Sequence, residues 1–287
     1  MRGWVRLKHN QTVVIKLGGS LLETLPNSFF AEVTALQQAG IQVVLVHGGG
    51  PSINHYMEQL SLKAEFVNGL RVTDQAALEL VEMVLGGSVN KKIVSQLEQA
   101  GADAVGISGI DRGLLKVKPL DPALGFVGTV ERVNVNVIND LCALGWIPVI
   151  ASLGVDADGQ HYNVNADTAA GAVAKALAAE QLVMVTDVPG ILPNDKQEGQ
   201  PITSITPTQI EHLIAKGTIH GGMIPKVRAA AASVNEGVKA VCIVDGHAEG
   251  VLSGVAEQNG ASFYGTKVVA EGSETGGVNA DVYALVD

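Results

Sequence analysis

Several short segments of this sequence combine cations, glycines and amides in ways that suit anion chemistry. Lys16-Leu17-Gly18-Gly19-Ser20 closes an apolar run. A lysine there is costly to desolvate unless an anion meets it, and two glycines let backbone approach a ligand closely. Taken alone, the segment reads equally as a lysine reaching out of a strand end beside a turn. His47-Gly48-Gly49-Gly50-Pro51 puts three glycines before a helix start, where free N–H groups and the helix dipole favour an anion. A plain tight turn is the alternative, although three consecutive glycines are an entropically costly way to make one. Asn68-Gly69-Leu70-Arg71-Val72-Thr73 offers a guanidinium fork that suits a carboxylate; in isolation it is a surface arginine beside a turn. Asn163-Val164-Asn165-Ala166-Asp167 carries polar side chains at i, i+2 and i+4, and helix capping accounts for one of them, not three. Thr186-Asp187-Val188-Pro189-Gly190-Ile191-Leu192 follows another apolar run. Gly221-Gly222-Met223-Ile224-Pro225-Lys226 opens a helix, and an ammonium at that positive end calls for an anion such as a nucleotide phosphate.

Missing motifs narrow the chemistry. There is no G-x-G-x-x-G and no G-x-x-x-x-G-K-[ST], so neither the dinucleotide fingerprint nor the P-loop is supported. No G-x-S-x-G marks a hydrolase nucleophile. His47, His55, His161, His212, His220 and His247 form no H-x-x-x-H set, and Cys/His zinc spacing is missing, so no protein-built metal cage is expected. Nineteen Lys+Arg against 29 Asp+Glu leave a net charge of −10, which disfavours a broad nucleic-acid or anionic-membrane surface. Cys142 and Cys242 lie in apolar strings and read as buried reduced thiols, with a bridge between them left open. The opening MRGWVRLKHNQ is basic without the apolar stretch of a signal peptide. No run approaches the ~18–20 apolar residues of a membrane helix, so the cytoplasm is the expected location.

The elements that must position these residues follow from periodicity. The chain of 287 residues is 47% hydrophobic and 17% charged, enough core for one large α/β domain or two lobes and too apolar for disorder. Runs at Thr12–Leu17, Gln42–Val46, Ala104–Ile107, Ile147–Ala151, Leu182–Val185 and Ala240–Val244 are short and apolar, as buried parallel strands are. Helical spacing marks 27–38 with Asn27 as N-cap, 51–60 with Pro51 leading, 74–85, 89–99, 136–144, 167–178, 208–215 and 224–235. Residues 114–133 read as a hairpin, and 155–164 as two short strands about Asp158-Gly159. The alternation predicts a largely parallel sheet with helices on both faces. In such sheets ligands gather at the strand ends, where the glycine segments fall.

In order and spacing, KLGGS, HGGGP, NGLRVTD, NVNAD, TDVPGIL and GGMIPK resemble the motif set of the amino acid kinase family, from about Val13 to Val268. The resemblance implies an α/β fold, a three-layer αβα sandwich around a mostly parallel central sheet. It implies a lobe at 1–184 for the acyl amino acid and dimerisation, and a lobe at 185–268 for ATP. Residues 269–287, with four acids and no Lys or Arg, fall outside the pattern and read as an acidic, mobile tail. The implied reaction is ATP-dependent phosphorylation of the side-chain carboxylate of N-acetyl-L-glutamate, the second step of arginine biosynthesis. Lys16 and Lys226 take the place of transition-state lysines, with Asp167 as the carboxylate holding both. Gly49, Gly50, Arg71, Asn163 and Asn165 fall to the acyl amino acid, and Gly18 and Gly19 to the γ-phosphate. Asp187, Val188, Pro189, Gly190, Ile191 and Leu192, with Thr218, Ile219, His220 and Met223, fall to the nucleotide. Mg²⁺ would be held mainly by the ATP phosphates.

The resemblance also implies a homodimer. Arginine-inhibited members carry an extra N-terminal helix that links dimers into a hexamer. About a dozen residues precede the first strand here, too few for that helix, so weak or no arginine inhibition is expected. The rival readings are sibling kinases acting on carrier-linked aminoadipate, glutamate, aspartate or a nucleoside monophosphate. Aspartate kinases usually carry added regulatory domains, for which no residues remain. The carrier-linked branch calls for extra cations about Arg71, where LKAEFVNGLRVTD has two cations and two acids. A non-catalytic binding protein on the same fold is disfavoured by the presence of both lysines.

Overall fold

The computed structural model describes residues 11–193, 199–256 and 263–273. Its first half runs β1 (Thr12–Leu17), α1 (Asn27–Gln38), β2 (Gln42–His47), α2 (Gly50–Gln59), β3 (Phe66–Val67), β4 (Leu70–Arg71), α3 (Gln75–Glu82), α4 (Asn90–Gln99) and β5 (Ala104–Ser108). The middle holds β6 (Leu115–Pro119), β7 (Val127–Val133), α5 (Val135–Ala143), β8 (Ile147–Ala151), β9 (Leu153–Val155), β10 (His161–Val164) and α6 (Ala166–Ala176). The rest is β11 (Gln181–Thr186), β12 (Ser204–Ile205), α7 (Pro207–Ala215), α8 (Met223–Asn235), β13 (Ala240–Asp245), α9 (Val251–Ala256) and β14 (Thr266–Val269).

Eight strands form one sheet in the order β12-β14-β13-β11-β1-β2-β8-β5, parallel at every pairing except β13–β14. The central strands are apolar on both faces, and side-chain alternation sorts them into two cores. Val13, Ile15 and Leu17 face α1 to α4 and α9, whereas Val14 faces α5 to α8. Each fully buried Val or Leu contributes roughly 1.5–3 kcal/mol, so the two cores hold the strand ends rigidly. The same alternation turns Lys16 onto the Val14 face, toward α6. Beside the sheet, β6, β7, β9 and β10 close a small four-stranded barrel, and β3–β4 form a separate hairpin.

Several details differ from the periodicity reading. Asn27 is the first helical residue of α1, not its cap; Pro26 holds the N-cap position with an extended backbone. The break expected between 85 and 89 does not exist: Met83–Val89 is a π-helical turn joining α3 to α4 in one column. Here the Gly86-Gly87-Ser88 run is carried inside a widened turn rather than ending a helix. The 114–133 hairpin forms, yet it belongs to the barrel. The expected lobe boundary at 184/185 lies within β11, so the sheet is shared by both halves. Residue 269 belongs to β14 rather than to a tail, and the Glu271 carboxylate accepts the Thr208 N–H; 274–287 lie outside the described residues. Both cysteines are free, with burial pushing the Cys142 thiol up to about 11 and Cys242 up to about 12. Among the described residues no helix is long and apolar enough to cross a membrane.

Candidate active site

β1 and β2 are parallel and in register, with Leu17 opposite His47, so their glycine turns leave the sheet side by side. The turns meet backbone against backbone. A Cβ on Gly19 would lie 2.7 Å from the Gly50 nitrogen and 2.8 Å from Gly49 Cα, and one on Gly49 would lie 2.6 Å from Leu85 Cδ2. Closeness to backbone, rather than a special backbone angle, therefore demands glycine at Gly19, whereas at Gly49 the near atom is the end of the buried Leu85 side chain. Among the described residues, the N–H groups of Gly19, Gly49 and Gly50 donate no hydrogen bond within the chain. These three residues line a cavity of about 220 Å³ at the start of α2. Free N–H donors and the positive end of a helix suit an anion there.

Lys16 enters the same cavity from β1. Its ammonium is 2.7 Å from Asp167 Oδ1, with 7% and 15% of the two side chains exposed. The approach is not aligned for a hydrogen bond, so Oδ1 has no aligned donor. Asp167 stands in the first turn of α6, where a carboxylate is favoured by the helix dipole. Asn165 is the cap of that helix: its Oδ1 accepts the N–H groups of Asp167 and Thr168. Asn163 comes from barrel strand β10, lines the cavity, and donates to Thr73 Oγ1 at 3.1 Å.

Arg71 closes the far end from the β3–β4 hairpin. It is 7% exposed, and burial holds its pKa below the ordinary arginine value. The guanidinium donates to Asn54 Oδ1, to the Gly50 carbonyl at 3.4 Å and to Met57 Sδ, and lies 4.7 Å from the Phe66 ring centre. Among the described residues it has no carboxylate partner. Asn54, Met57 and Phe66 escaped the sequence reading, although Gly50, Asn54 and Met57 sit at i, i+4 and i+7 on one face of α2. Ser152, which also lines this cavity, was missed as well, whereas Gly48 belongs to the glycine segment already singled out.

A second cavity, of about 460 Å³, lies between the loop after β11 and the segment leading into α8. Its walls are Asp187, Val188, Pro189, Gly190, Ile191 and Leu192 on one side, and Thr218, Ile219, His220 and Met223 on the other, with Lys226. Lys226 Nζ is 3.8 Å from Asp187 Oδ1, and neither side chain is buried. Among the described residues Asp167 pairs with Lys16, and the carboxylate beside Lys226 is Asp187. The reason is positional, since Asp187 directly follows β11, the strand next to β1, and its carboxylate lies beside Lys226 in α8. The two lysines line separate cavities, which open at the carboxyl ends of adjacent strands β1 and β11. Gly18 lines neither cavity; its Cβ position lies 3.3 Å from the Val185 carbonyl of β11 and 3.8 Å from Lys16 Nζ.

Residues 11–245 match the family model described as the amino acid kinase family. The chain belongs to that family. Among curated amino acid kinases, it is 52% identical over 237 residues to the acetylglutamate kinase of Geobacillus stearothermophilus, covering 82% of this chain and 90% of that one. It is 48% identical over 259 residues to that of Geobacillus sp. (strain WCH70), covering 88% and 99%. Among solved structures, the protein smu.665 from Streptococcus mutans UA159 superposes with a TM-score of 0.79 at 35% identity, covering 90% of this chain and 98% of that one. A carbamate kinase from Giardia shares the fold, with a TM-score of 0.69 at 19% identity over 92% of this chain and 100% of that one.

Proposed function

We propose that this amino acid kinase transfers the γ-phosphoryl group of ATP to the side-chain carboxylate of N-acetyl-L-glutamate, as the names of its curated relatives indicate for them. The observation that carries the reading is Arg71: a buried guanidinium without an acidic partner, at one end of a small cavity whose other end holds Lys16 and unspent backbone N–H groups. A dicarboxylate fits such a cavity, one carboxylate on the guanidinium fork and the other beside Lys16. The product belongs to arginine biosynthesis by the same relationship.

The chemistry needs little from the protein beyond position and charge. The acceptor carboxylate has a pKa near ~4.3 and is already ionised at neutral pH, so no general base is required. One of its oxygens bonds to the γ-phosphorus while the bond from that phosphorus to the ADP oxygen breaks. The obstacle is repulsion: two unit charges 4 Å apart oppose each other by about 4 kcal/mol at an effective dielectric constant of 20. We assign Lys16 to the transferring phosphoryl group and Lys226 to the leaving ADP side, with Gly18 and Gly19 donating to the γ-phosphate. Asp167 fixes the Lys16 ammonium, and Gly49, Gly50, Arg71 and Asn163 take the acyl amino acid. Asn165 acts through the α6 cap that sets Asp167. The cavity behind Asp187 and Met223 takes the nucleotide, its apolar walls against the base.

Among the described residues no group of three His, Cys, Asp or Glu side chains could cage a metal. The donors present, ammonium and amide N–H groups, fit the phosphates of a magnesium–nucleotide complex, with Asp187 the acid at that cavity. Bound there, Mg²⁺ would neutralise phosphate charge. We place the working enzyme as a cytoplasmic homodimer with an acceptor lobe and a nucleotide lobe. The test is ADP release with ATP·Mg²⁺ and N-acetylglutamate, glutamate, aspartate, aminoadipate or UMP. Turnover confined to N-acetylglutamate is expected; preference for another acceptor overturns the assignment.

A further inference from the structure

His47 and Asn90 line neither cavity, yet together they fasten the turn that builds one of them. His47 is fully buried at the end of β2. Its Nδ1 lies 2.9 Å from the Gly48 carbonyl and its Nε2 lies 3.0 Å from Asn90 Nδ2. Asn90 follows the π turn directly, and its Nδ2 also reaches the Val149 carbonyl at 2.9 Å and the Ile107 carbonyl at 3.3 Å. One amide thus ties β2, β8 and β5 together. Gly106 makes room for it, since a Cβ there would collide with Asn90 Oδ1.

The direction of this chain of bonds is determined from its outer end. The Lys91 ammonium donates to Asn90 Oδ1 at 3.0 Å, so the oxygen faces the cation and the NH₂ faces the three acceptors. His47 Nε2 must then accept, and Nδ1 must carry the proton it donates to Gly48. Burial keeps the ring neutral, lowering its pKa to about 4. The π turn serves the same loop from the other side, with Leu85 and Val89 against Gly49. Widened turns of this kind recur where a helix must re-aim side chains at a functional site.

We propose that His47 and Asn90 are positioning residues for phosphoryl transfer: through the Gly48 carbonyl they set the glycine turn that receives the acceptor. This rests on the acceptor-site reading above. The test compares His47→Gln with His47→Asn. The asparagine amide can replace Nδ1 toward Gly48, whereas glutamine reaches only toward Asn90. His47→Gln is expected to raise KM for N-acetylglutamate about tenfold, the effect of one lost hydrogen bond. KM for ATP stays within about twofold, and His47→Asn stays within about threefold for both, even though each variant loses thermal stability. Equal acceptor effects in the two variants, or equal shifts in both KM values, overturn the proposal. Wild-type turnover on the acceptor panel is measured first: lack of N-acetylglutamate turnover sinks the substrate reading alone, and the variants are then compared on the acid that is turned over. Should the variants not fold, ¹⁵N NMR of histidine-labelled wild type decides it. A neutral His47 protonated at Nδ1 is expected, and protonation at Nε2 overturns it.

Discussion

Substituting Gly19 by alanine asks whether the two glycine turns must touch for phosphoryl transfer to occur. The new Cβ would stand 2.7 Å from the Gly50 nitrogen and 2.8 Å from Gly49 Cα, where ordinary contact starts near 3.4 Å. Both opposing atoms are backbone, so no rotamer change relieves the clash. The turns must part by about 0.7 Å, and misplacement on the order of 1 Å costs roughly 10²-fold in an oriented reaction. The expected result is a kcat loss of roughly 10–10²-fold, with overpacking lowering stability by about 1–3 kcal/mol. Gly50→Ala is the control, because a Cβ there meets nothing within 4 Å. The methyl group finds open space, so the melting temperature holds, and because Gly50 lines the acceptor cavity KM for the acceptor is expected to rise. The assay is coupled ADP release normalised to folded protein, beside thermal unfolding. Wild-type kcat per folded molecule in Gly19→Ala would refute the reasoning.

Further outcomes follow from the other site residues. Lys226→Ala is expected to lower kcat by roughly 10²–10³-fold, the range for losing one transition-state stabiliser; near-normal turnover would remove Lys226 from the mechanism. Arg71→Lys should raise KM for the acyl amino acid far more than KM for ATP, since an ammonium cannot reproduce the fork; equal effects on the two would show that Arg71 does not clamp the carboxylate. The folded chain holds His47 neutral with a pKa lowered from 6.5 to about 4, so between those values the unfolded chain binds the extra proton. Stability from this group is complete above pH 6.5 and is lost as pH falls toward 4, about 2 kcal/mol of it between pH 7.5 and 5. Urea unfolding across that range should show the loss, with a shallower slope in His47→Asn; identical slopes would contradict the linkage.

The central sheet was legible because a buried parallel strand has one signature, an apolar run between turns. Thr12–Leu17 and Ile147–Ala151 match to the residue. What escaped was set by tertiary contact. The two-residue strands β3, β4 and β12 are too short for periodicity, and β14 has only four residues, set antiparallel to β13 and parallel to the edge strand β12. The glycines of the π turn carry the usual signal of a helix end, yet Leu85 and Val89 on either side are buried against Gly49, and that packing keeps the column continuous. In the site, the glycine segments and both lysines announced themselves by being out of place in apolar surroundings. Asn54 and Phe66 did not, because an amide on a helix and an aromatic in a two-residue strand acquire meaning only when Arg71 lies against both. The nearness of Asp187 to Lys226 was not legible for the same reason: it follows from strand adjacency, and adjacency of β1 with β11 spans more than 160 residues.

That adjacency also separates the tasks within the proposed mechanism. Of the groups assigned to the phosphoryl chain, Lys16, Gly18, Gly19 and Asp187 lie on or directly beyond β1 and β11, at the middle of a sheet buried on both faces, and Lys226 faces them from the first turns of α8. Of those assigned to the acceptor, Gly49 and Gly50 follow β2, whereas the others arrive on appended pieces, Arg71 on the hairpin and Asn163 on the barrel, with Asn54 on the helix face that holds Arg71 in place. Phosphoryl transfer needs its charges held to a fraction of an ångström, and the rigid sheet centre supplies that. Acceptor choice needs only a shaped, charged end wall, and a two-stranded hairpin with exposed Phe66 and Val67 can change without disturbing either core. Substitutions in the hairpin are therefore the route to a different acceptor, whereas substitutions at the β1 and β11 ends affect every acceptor alike.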